Sequence, residues 1–164
     1  MKIQLPLTEK IISRLKPGDE LELSGIIYTA RDIAHKKLVK LIAEKKPLPI
    51  SIKNQTFYYC GPTPAKPGQV IGSCGPTTSA RMDVFTSTLL KSGLKGMIGK
   101  GLRSGTVIKS IKANHCVYFT AYAGAGAYLN QFVKKARTVA FKEYGTEAIQ
   151  ELTVANFPVV VANN

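Results

Sequence analysis

Three apolar runs in this sequence of 164 residues are followed by side chains that bind small anions. In "IIYTARD" a β-rich run precedes a helix that begins near Arg31, and in "VIGSCGPTTSARMD" another run precedes Thr77, Thr78 and Arg81. The third run, "GMIGKG", ends at Lys100. If these strands are neighbours, two guanidinium groups, an ammonium and two helix N-termini meet at one end of a sheet, an arrangement that favours anions. The sequence therefore predicts a receptor for a small dicarboxylate.

Each of these residues also has a purely structural interpretation. Thr77 or Thr78 is equally suited to cap the helix that follows. Arg31 and Asp32 are adjacent and fit a local ion pair at a helix start, which contributes little if it is exposed. His35 lies one turn into a helix, where a histidine is more often a structural hydrogen-bonding residue than a catalyst. The prediction of a site therefore depends on the convergence of the three loops.

The charge of the chain is strongly positive. Lysine and arginine total 23 against 10 acidic residues, a net charge of +13. Such a charge attracts polyanions, and a nucleic-acid-binding module is one hypothesis for it. However, the basic residues are scattered along the chain and no aromatic-basic RNA-binding motif is present, which favours an ordinary solvated surface. We therefore expect no nucleic-acid partner.

Cys60, Cys74 and Cys116 are the only cysteines of the chain. An odd number without a CxxC pair argues against a disulfide framework and against a structural zinc site. Their wide spacing also matches no compact motif for ligands of an iron–sulfur cluster. The sequence predicts buried free thiols and no metal bound by this chain.

The pattern of apolar residues predicts alternating strands and helices. Helices are expected in "LTEKIISRLKPGD", with Thr8 as its cap, and in "RDIAHKKLVKLIAEKK", "VFTSTLLKSG", "SGTVIKSIKAN" and residues 128–133. Strands are expected in "ELELSGIIYTA" (one bent strand or a pair), "QTFYYCGP", "VIGSCGP", "KGMIGKG", "HCVYFTAYAG", "RTVAFKEYG", "IQELTV" and "FPVVVAN". This order predicts one α/β domain over residues 1–164, with a mixed sheet or two stacked sheets.

Targeting signals are not apparent in the sequence. No apolar run approaches the roughly 20 residues that a membrane span requires. The first residues, "MKIQLPLTEKIISRLKPGDE", lack the uninterrupted apolar block of a signal peptide. We therefore expect a cytoplasmic protein without a membrane partner.

Several motifs resemble those of one enzyme family. "LTEKIISRLKPGDELELSGIIYTARDIAHKKL", "FYYCGPTPAKPG", "GSCGPTTSARMD", "IGKGLRS" and "EYGTEAIQELTVANFPVVV" occur in family order over nearly the whole chain. They are similar to the β subunit (the C-terminal domain in single-chain versions) of the iron–sulfur class I fumarate hydratases and L(+)-tartrate dehydratases. The combination of ARDxAH, GPTTxxRMD and KGxRS makes this resemblance specific.

The resemblance implies a fold, a partner and a reaction. The domain would resemble the swivelling β/β/α fold, and a companion α subunit, in an α2β2 complex, would carry a [4Fe–4S] cluster whose open iron acts as a Lewis acid. Arg31, Arg81 and Lys100 would bind the substrate carboxylates, with Thr78 beside them, and Thr77 would take part in proton transfer. The expected reaction is hydration of fumarate to (S)-malate, and the alternative is dehydration of L(+)-tartrate to oxaloacetate. The motifs do not separate the two.

Overall fold

Seven strands and five α-helices make up the computed structural model, which describes residues 1–122 and 124–164. The strands are β1 (Lys2–Gln4), β2 (Glu20–Thr29), β3 (Thr56–Tyr58), β4 (Gly96–Gly99), β5 (Val117–Thr120), β6 (Val133–Ala140) and β7 (Ile149–Asn163). The α-helices are α1 (Glu9–Ile12), α2 (Asp32–Ala43), α3 (Asp83–Lys91), α4 (Gly105–Ala113) and α5 (Gly126–Leu129). Short 3-10 helices cover Ser79–Met82, Asn130–Phe132 and Lys142–Glu147.

The strands form one mixed sheet that closes on itself. Strands β2, β3, β4 and β5 are parallel neighbours in that order, and β1 is also parallel to β2. Strand β7 is antiparallel to both β5 and β2, so it joins the two ends of the parallel set into a closed barrel. Strand β6 pairs with the first half of β7. The prediction of a mixed α/β sheet is confirmed, and the alternative of two stacked sheets is wrong.

Strand β7 replaces two strands that the sequence predicts. It runs for 15 residues through both "IQELTV" and "FPVVVAN". The apparent break between them is a bulge, where Asn156 has a positive φ of 54° and its N–H donates to Ser24 Oγ at 3.0 Å. A bulge interrupts the alternation of buried and exposed side chains without ending the pairing with β2. The local pattern therefore indicates a strand end that does not exist.

Side chains alternate between two apolar cores. One face of the strands fills the barrel with large side chains, among them Tyr58, Ile98, Phe119, Leu152 and Phe157. The opposite face packs against α2, α3 and α4 through a second set, which includes Phe57, Tyr59, Met97, Tyr118, Ala34, Leu38, Leu89 and Ile111. Strands β3, β4 and β5 are buried on both faces and read as short continuous apolar runs, as central parallel strands do.

The segment "VIGSCGP" is not a strand, contrary to the sequence-based prediction. It is apolar because it covers the barrel, where Ile71 and Cys74 are buried. Its backbone bonds to loops rather than to a neighbouring strand: Cys74 N donates to Gly126 O at 3.2 Å, and Ser73 N donates to Thr63 Oγ1 at 2.8 Å. Periodicity alone does not distinguish a buried strand from a buried loop of this length.

The other predicted elements hold with changed bounds. Strand β2 is one continuous strand and not a pair, with a register irregularity between Leu23 and Gly25, and Thr8 Oγ1 accepts from Ile11 N as the cap of a short α1. "RTVAFKEYG" is strand only as far as Ala140, after which a 3-10 helix begins. The predicted "HCVYFTAYAG" strand includes Ala123, which lies outside the described residues. No helix within residues 1–122 and 124–164 is long and apolar enough to cross a membrane.

Candidate dicarboxylate site

The three loops that carry the candidate residues meet at one end of the sheet. Strands β2, β3 and β4 are adjacent and parallel, so the segments after them leave from the same edge. Arg31 follows β2, and Lys100 follows β4. The segment with Thr77 and Thr78 returns to this edge, where Thr77 N donates to Tyr59 O, just beyond β3, at 2.6 Å. The convergence expected from the sequence is therefore present in the fold.

Arg81 and Thr77 are in direct contact. The Arg81 guanidinium donates through Nη2 to Thr77 Oγ1 at 2.9 Å and to Asp32 Oδ2 at 3.3 Å, and its Nε lies 3.3 Å from Asp32 Oδ1. The alternative interpretation of Arg31 and Asp32 as a local ion pair is wrong, because Asp32 pairs with Arg81 and Arg31 pairs with Glu147. Since Thr77 Oγ1 accepts from Arg81, its own hydroxyl proton is available to a third group.

Neither threonine caps the helix with its side chain. Thr78 occupies the N-cap position of the 3-10 helix that precedes α3 but makes no side-chain cap hydrogen bond, and Thr77 Oγ1 bonds to Arg81 instead. The backbone of Thr78 forms a parallel bridge with Lys100, with Ser79 N donating to Lys100 O at 3.0 Å and Lys100 N to Thr77 O at 3.2 Å. The structural interpretation of these residues as plain side-chain caps is therefore wrong.

Gly99 makes this bridge possible. A Cβ on Gly99 would lie 1.9 Å from Ser79 Oγ, closer than any real contact. The glycine before Lys100 thus lets the threonine segment lie against the end of β4.

Arg31 has its own acidic partner. Its Nε lies 3.4 Å from Glu147 Oε1, and Glu147 Oε2 accepts from Ile33 N at the start of α2 at 3.0 Å. The guanidinium rests on Gly61, where a Cβ would lie 2.4 Å from Arg31 Nη1. Glu147 and Gly61 therefore fix the direction of Arg31 and leave it only partly exposed.

Lys100 is the remaining cation of the set. Its side chain is half-buried, and within the described part of the chain its ammonium forms no ion pair with an acidic residue. The site thus combines two arginines that have acidic partners with one lysine that has none among the described residues.

His35 is a buried residue of the fold, as its position in α2 predicts. Its Nδ1 lies 2.7 Å from the carbonyl oxygen of Arg31, and its ring packs edge-on against Phe57 and Tyr59. Burial lowers the pKa of His35 from 6.5 to about 4, so the ring is neutral near pH 7. Neutral imidazole donates through Nδ1–H to Arg31 O, which holds the first turn of α2 in place.

The pKa of His35 makes stability depend on pH. Because the pKa is lower in the folded state, the unfolded chain binds more protons between pH 6.5 and 4. The stability that depends on neutral His35 is fully present above pH 6.5. Roughly 3 kcal/mol of unfolding free energy should be lost as the pH falls to about 4. Urea unfolding of the wild-type chain and of His35→Gln at several pH values measures this. His35→Gln should flatten the dependence, whereas exposed His115→Asn should retain it, and equal slopes for all three chains would contradict the assignment.

Sequence reasoning missed the Arg103 cluster, which consists of Arg103, Asp83, Thr86, Tyr59 and Tyr118. The Arg103 side chain is 0% exposed and pairs through Nε with Asp83 Oδ1 at 2.7 Å. Its Nη2 donates to Thr86 Oγ1 at 2.6 Å and its Nη1 to Tyr59 OH at 3.3 Å. The available signal was the pairing of RMD with KGxRS, since each motif carries one half of this buried ion pair.

The cysteines do not fit the role of cluster ligands. All three are free and buried, as the sequence predicts. Burial raises the pKa of Cys74 to about 12 and of Cys116 to about 11, and it raises the pKa of Cys60 well above its usual range. Metal-binding thiols must ionise. Among the described residues, no three His, Cys, Asp or Glu side chains are grouped to hold a metal ion.

We therefore expect the isolated chain to take up no iron–sulfur cluster. Anaerobic incubation with ferrous iron and sulfide should leave less than stoichiometric iron after desalting, with no brown chromophore. Replacing all three cysteines by serine provides the control, since nonspecific iron would persist in that variant. A stoichiometric chromophore that disappears on substitution of Cys60, Cys74 or Cys116 would contradict this expectation.

Comparison with known proteins identifies the family. The family model described as the fumarase C-terminus matches residues 1–164. The chain belongs to this family. It is 38% identical over 162 residues to a Methanocaldococcus jannaschii protein provisionally named L(+)-tartrate dehydratase subunit beta, covering 95% of this chain and 83% of that protein.

Other relatives are much longer than this chain. It is 38% identical over 152 residues to the anaerobic class I fumarate hydratase of Escherichia coli K12, covering 92% of this chain but 28% of the relative. It is 36% identical over 165 residues to mitochondrial fumarate hydratase 1 of Leishmania major, covering 98% and 30%. In these relatives the matched region is therefore one part of a larger protein.

Proposed function

We propose that this chain is the β subunit of a heteromeric iron–sulfur hydro-lyase that hydrates fumarate to (S)-malate. The observation that carries the proposal is the meeting of Arg31, Arg81 and Lys100 with Thr77 at the ends of three adjacent strands, in a chain of the fumarase C-terminus family. Cations on separate loops suit the two carboxylates of a C4 substrate, and guanidinium groups bind carboxylates with two parallel hydrogen bonds.

Each site residue has a distinct proposed role. Arg81 binds one carboxylate, Arg31 and Lys100 bind the other, and Thr78 lines the substrate site. Thr77 Oγ1, which accepts from Arg81, presents its hydroxyl proton to the reacting carbon. The positive groups also stabilise the charge that develops on the substrate when a proton is removed beside a carboxylate.

A partner is needed to complete the site. The Arg81 and Asp32 side chains are 49% and 41% exposed. In the lone chain, solvent would therefore screen the attraction between Arg81 and a substrate carboxylate. Two large apolar side chains close in sequence to the site residues are exposed, Val84 at the start of α3 and Leu102 after Lys100. We infer that a cluster-bearing α subunit covers this surface in an α2β2 complex, and that the closed sheet with its helices is of the swivelling β/β/α type.

Co-expression with the partner tests the proposal. The purified complex, with its cluster reconstituted anaerobically, should hydrate fumarate and dehydrate (S)-malate, and light scattering should give the mass of α2β2. The chain alone should show no turnover. Full activity of the lone chain, or a complex inactive on every C4 hydroxy acid and on fumarate, would contradict the proposal.

A second candidate activity is dehydration of L(+)-tartrate to oxaloacetate. It is favoured by the M. jannaschii relative, whose length this chain covers to 83%. The same assay with tartrate as substrate distinguishes the two activities by their kcat/KM. Retention of the complex on a polyanion column at 0.2 M salt would instead favour the third hypothesis, a basic anion- or nucleic-acid-binding module.

A further inference from the structure

The Arg103 cluster is bonded to two of the three loops of the candidate site. Arg103 is three residues after Lys100, and Asp83 is two residues after Arg81. Asp83 binds both Arg103 Nε, at 2.7 Å, and Ser104 N, at 2.8 Å. The loop with the lysine is therefore fastened to the helix start with the arginine by a single, largely buried carboxylate.

The aromatic members of the cluster extend this connection to the threonine segment. The Arg103 guanidinium lies between the rings of Tyr59 and Tyr118, at 5.4 and 4.8 Å from their centroids. Tyr118 OH lies 2.9 Å from Ser79 Oγ and 2.8 Å from Gly101 O, one on each side of the bridge between the two loops. Tyr59 O accepts from Thr77 N. Every loop of the site except that of Arg31 is thus bonded to the cluster.

The hydrogen-bond donors of the Arg103 guanidinium match the acceptors around it. All three of its nitrogens have a partner: Asp83, Thr86 or Tyr59. Thr86 Oγ1 in turn donates to Met82 O at 2.8 Å, one residue after Arg81. Lysine retains the charge but lacks the planar fork, so it cannot make these bonds together.

We propose that Arg103 is a positioning residue that fixes the separation between Lys100 and Arg81 and thereby sets which length of dicarboxylate the site accepts. This inference rests on the proposed function. A rigid separation favours one spacing of the two carboxylates, whereas a loosened one admits shorter and longer acids. Displacing binding groups by about 1 Å can cost on the order of a hundredfold in turnover.

Competitive inhibition by malonate, succinate and glutarate measures the preference for length in the reconstituted αβ complex. The wild-type complex should prefer succinate by about tenfold or more over the other two acids, and Arg103→Lys should reduce this preference to less than about threefold while raising KM for the C4 substrate about tenfold. The matched control is Arg137→Lys, because Arg137 also pairs through Nε with an acid, Glu151, at 2.8 Å, but on the exposed surface. It should leave KM and the preference unchanged.

A merely structural role for Arg103 predicts a different result. Thermal stability and the yield of complex would fall, but KM and the preference for length per assembled site would stay those of the wild type, and this would overturn the inference. If Arg103→Lys does not assemble, Tyr118→Phe tests the inference by the same two measurements, KM and the preference for length. It removes only the hydroxyl that joins Ser79 and Gly101. A wild-type complex that neither turns over C4 substrates nor binds succinate would overturn the proposed function and this inference with it, whereas an active complex whose variants retain the preference would overturn this inference alone.

Discussion

Arg81→Ala and Arg31→Ala should each lower kcat/KM of the assembled enzyme at least about thirtyfold. Removing one charge-assisted contact to a buried anion costs about 2–5 kcal/mol, and about 2 kcal/mol corresponds to roughly thirtyfold in rate. Arg81 also bonds to Thr77, so its loss removes a carboxylate contact and the support of the hydroxyl together. We therefore expect the larger loss for Arg81→Ala.

The conservative variant separates charge from geometry. Arg81→Lys keeps the positive charge but not the fork that spans Thr77 and Asp32, so it should restore only part of the activity. Steady-state kinetics on reconstituted complexes measures this, with melting temperatures recorded alongside. Arg137→Ala is the control for loss of an arginine that already has an acidic partner. Wild-type kcat/KM in both Arg31→Ala and Arg81→Ala, with normal assembly, would show that the site lies elsewhere.

Thr77→Val should lower kcat by about a hundredfold or more, the range in which a positioned acid or base contributes to catalysis. Valine has nearly the shape of threonine but no hydroxyl, so the proton that Thr77 is proposed to transfer has no carrier. Thr77→Ser keeps the hydroxyl and should be mild. Because Thr77 Oγ1 does not cap a helix, the melting temperature should change little in either variant.

The hydroxyl of Thr77 depends on Arg81 for this role. An unactivated threonine is a poor base, since its pKa is far from neutrality, and the cation that donates to Oγ1 at 2.9 Å stabilises a developing negative charge there. Thr88→Val, at a partly exposed position in α3, should leave turnover unchanged and checks for nonspecific effects of the substitution. If Thr77→Val retains wild-type kcat while its melting temperature drops, Thr77 has a structural role only.

The local sequence was sufficient to predict helices α2 and α4 and the ends of strands β2 and β4. The apolar stripes of α2 and α4 recur at helical spacing, and the glycines and polar residues after β2 and β4 mark the strand ends on which Arg31 and Lys100 lie. Parallel strands end at one edge, so Arg31 and Lys100 lie together because β3 pairs with both β2 and β4, whereas Thr77 reaches this edge from a loop that the sequence pattern mistook for a strand. The motifs also sufficed to identify the family, because they recur in order over nearly the whole chain.

Tertiary structure alone decided which residues are partners and how the sheet closes. Glu147 meets Arg31 across more than 110 positions of sequence, and Asp83 meets buried Arg103 across two loops, contacts that no local spacing encodes. Strand β7 closes the barrel because its pairing with β2 continues on both sides of the bulge at Asn156, where the register shifts and the sequence pattern breaks. The residue types predicted a group of cations at the strand ends. Burial and long-range pairing determined the directions of Arg31 and Arg103, because a buried charge is stable only where the fold brings it a partner.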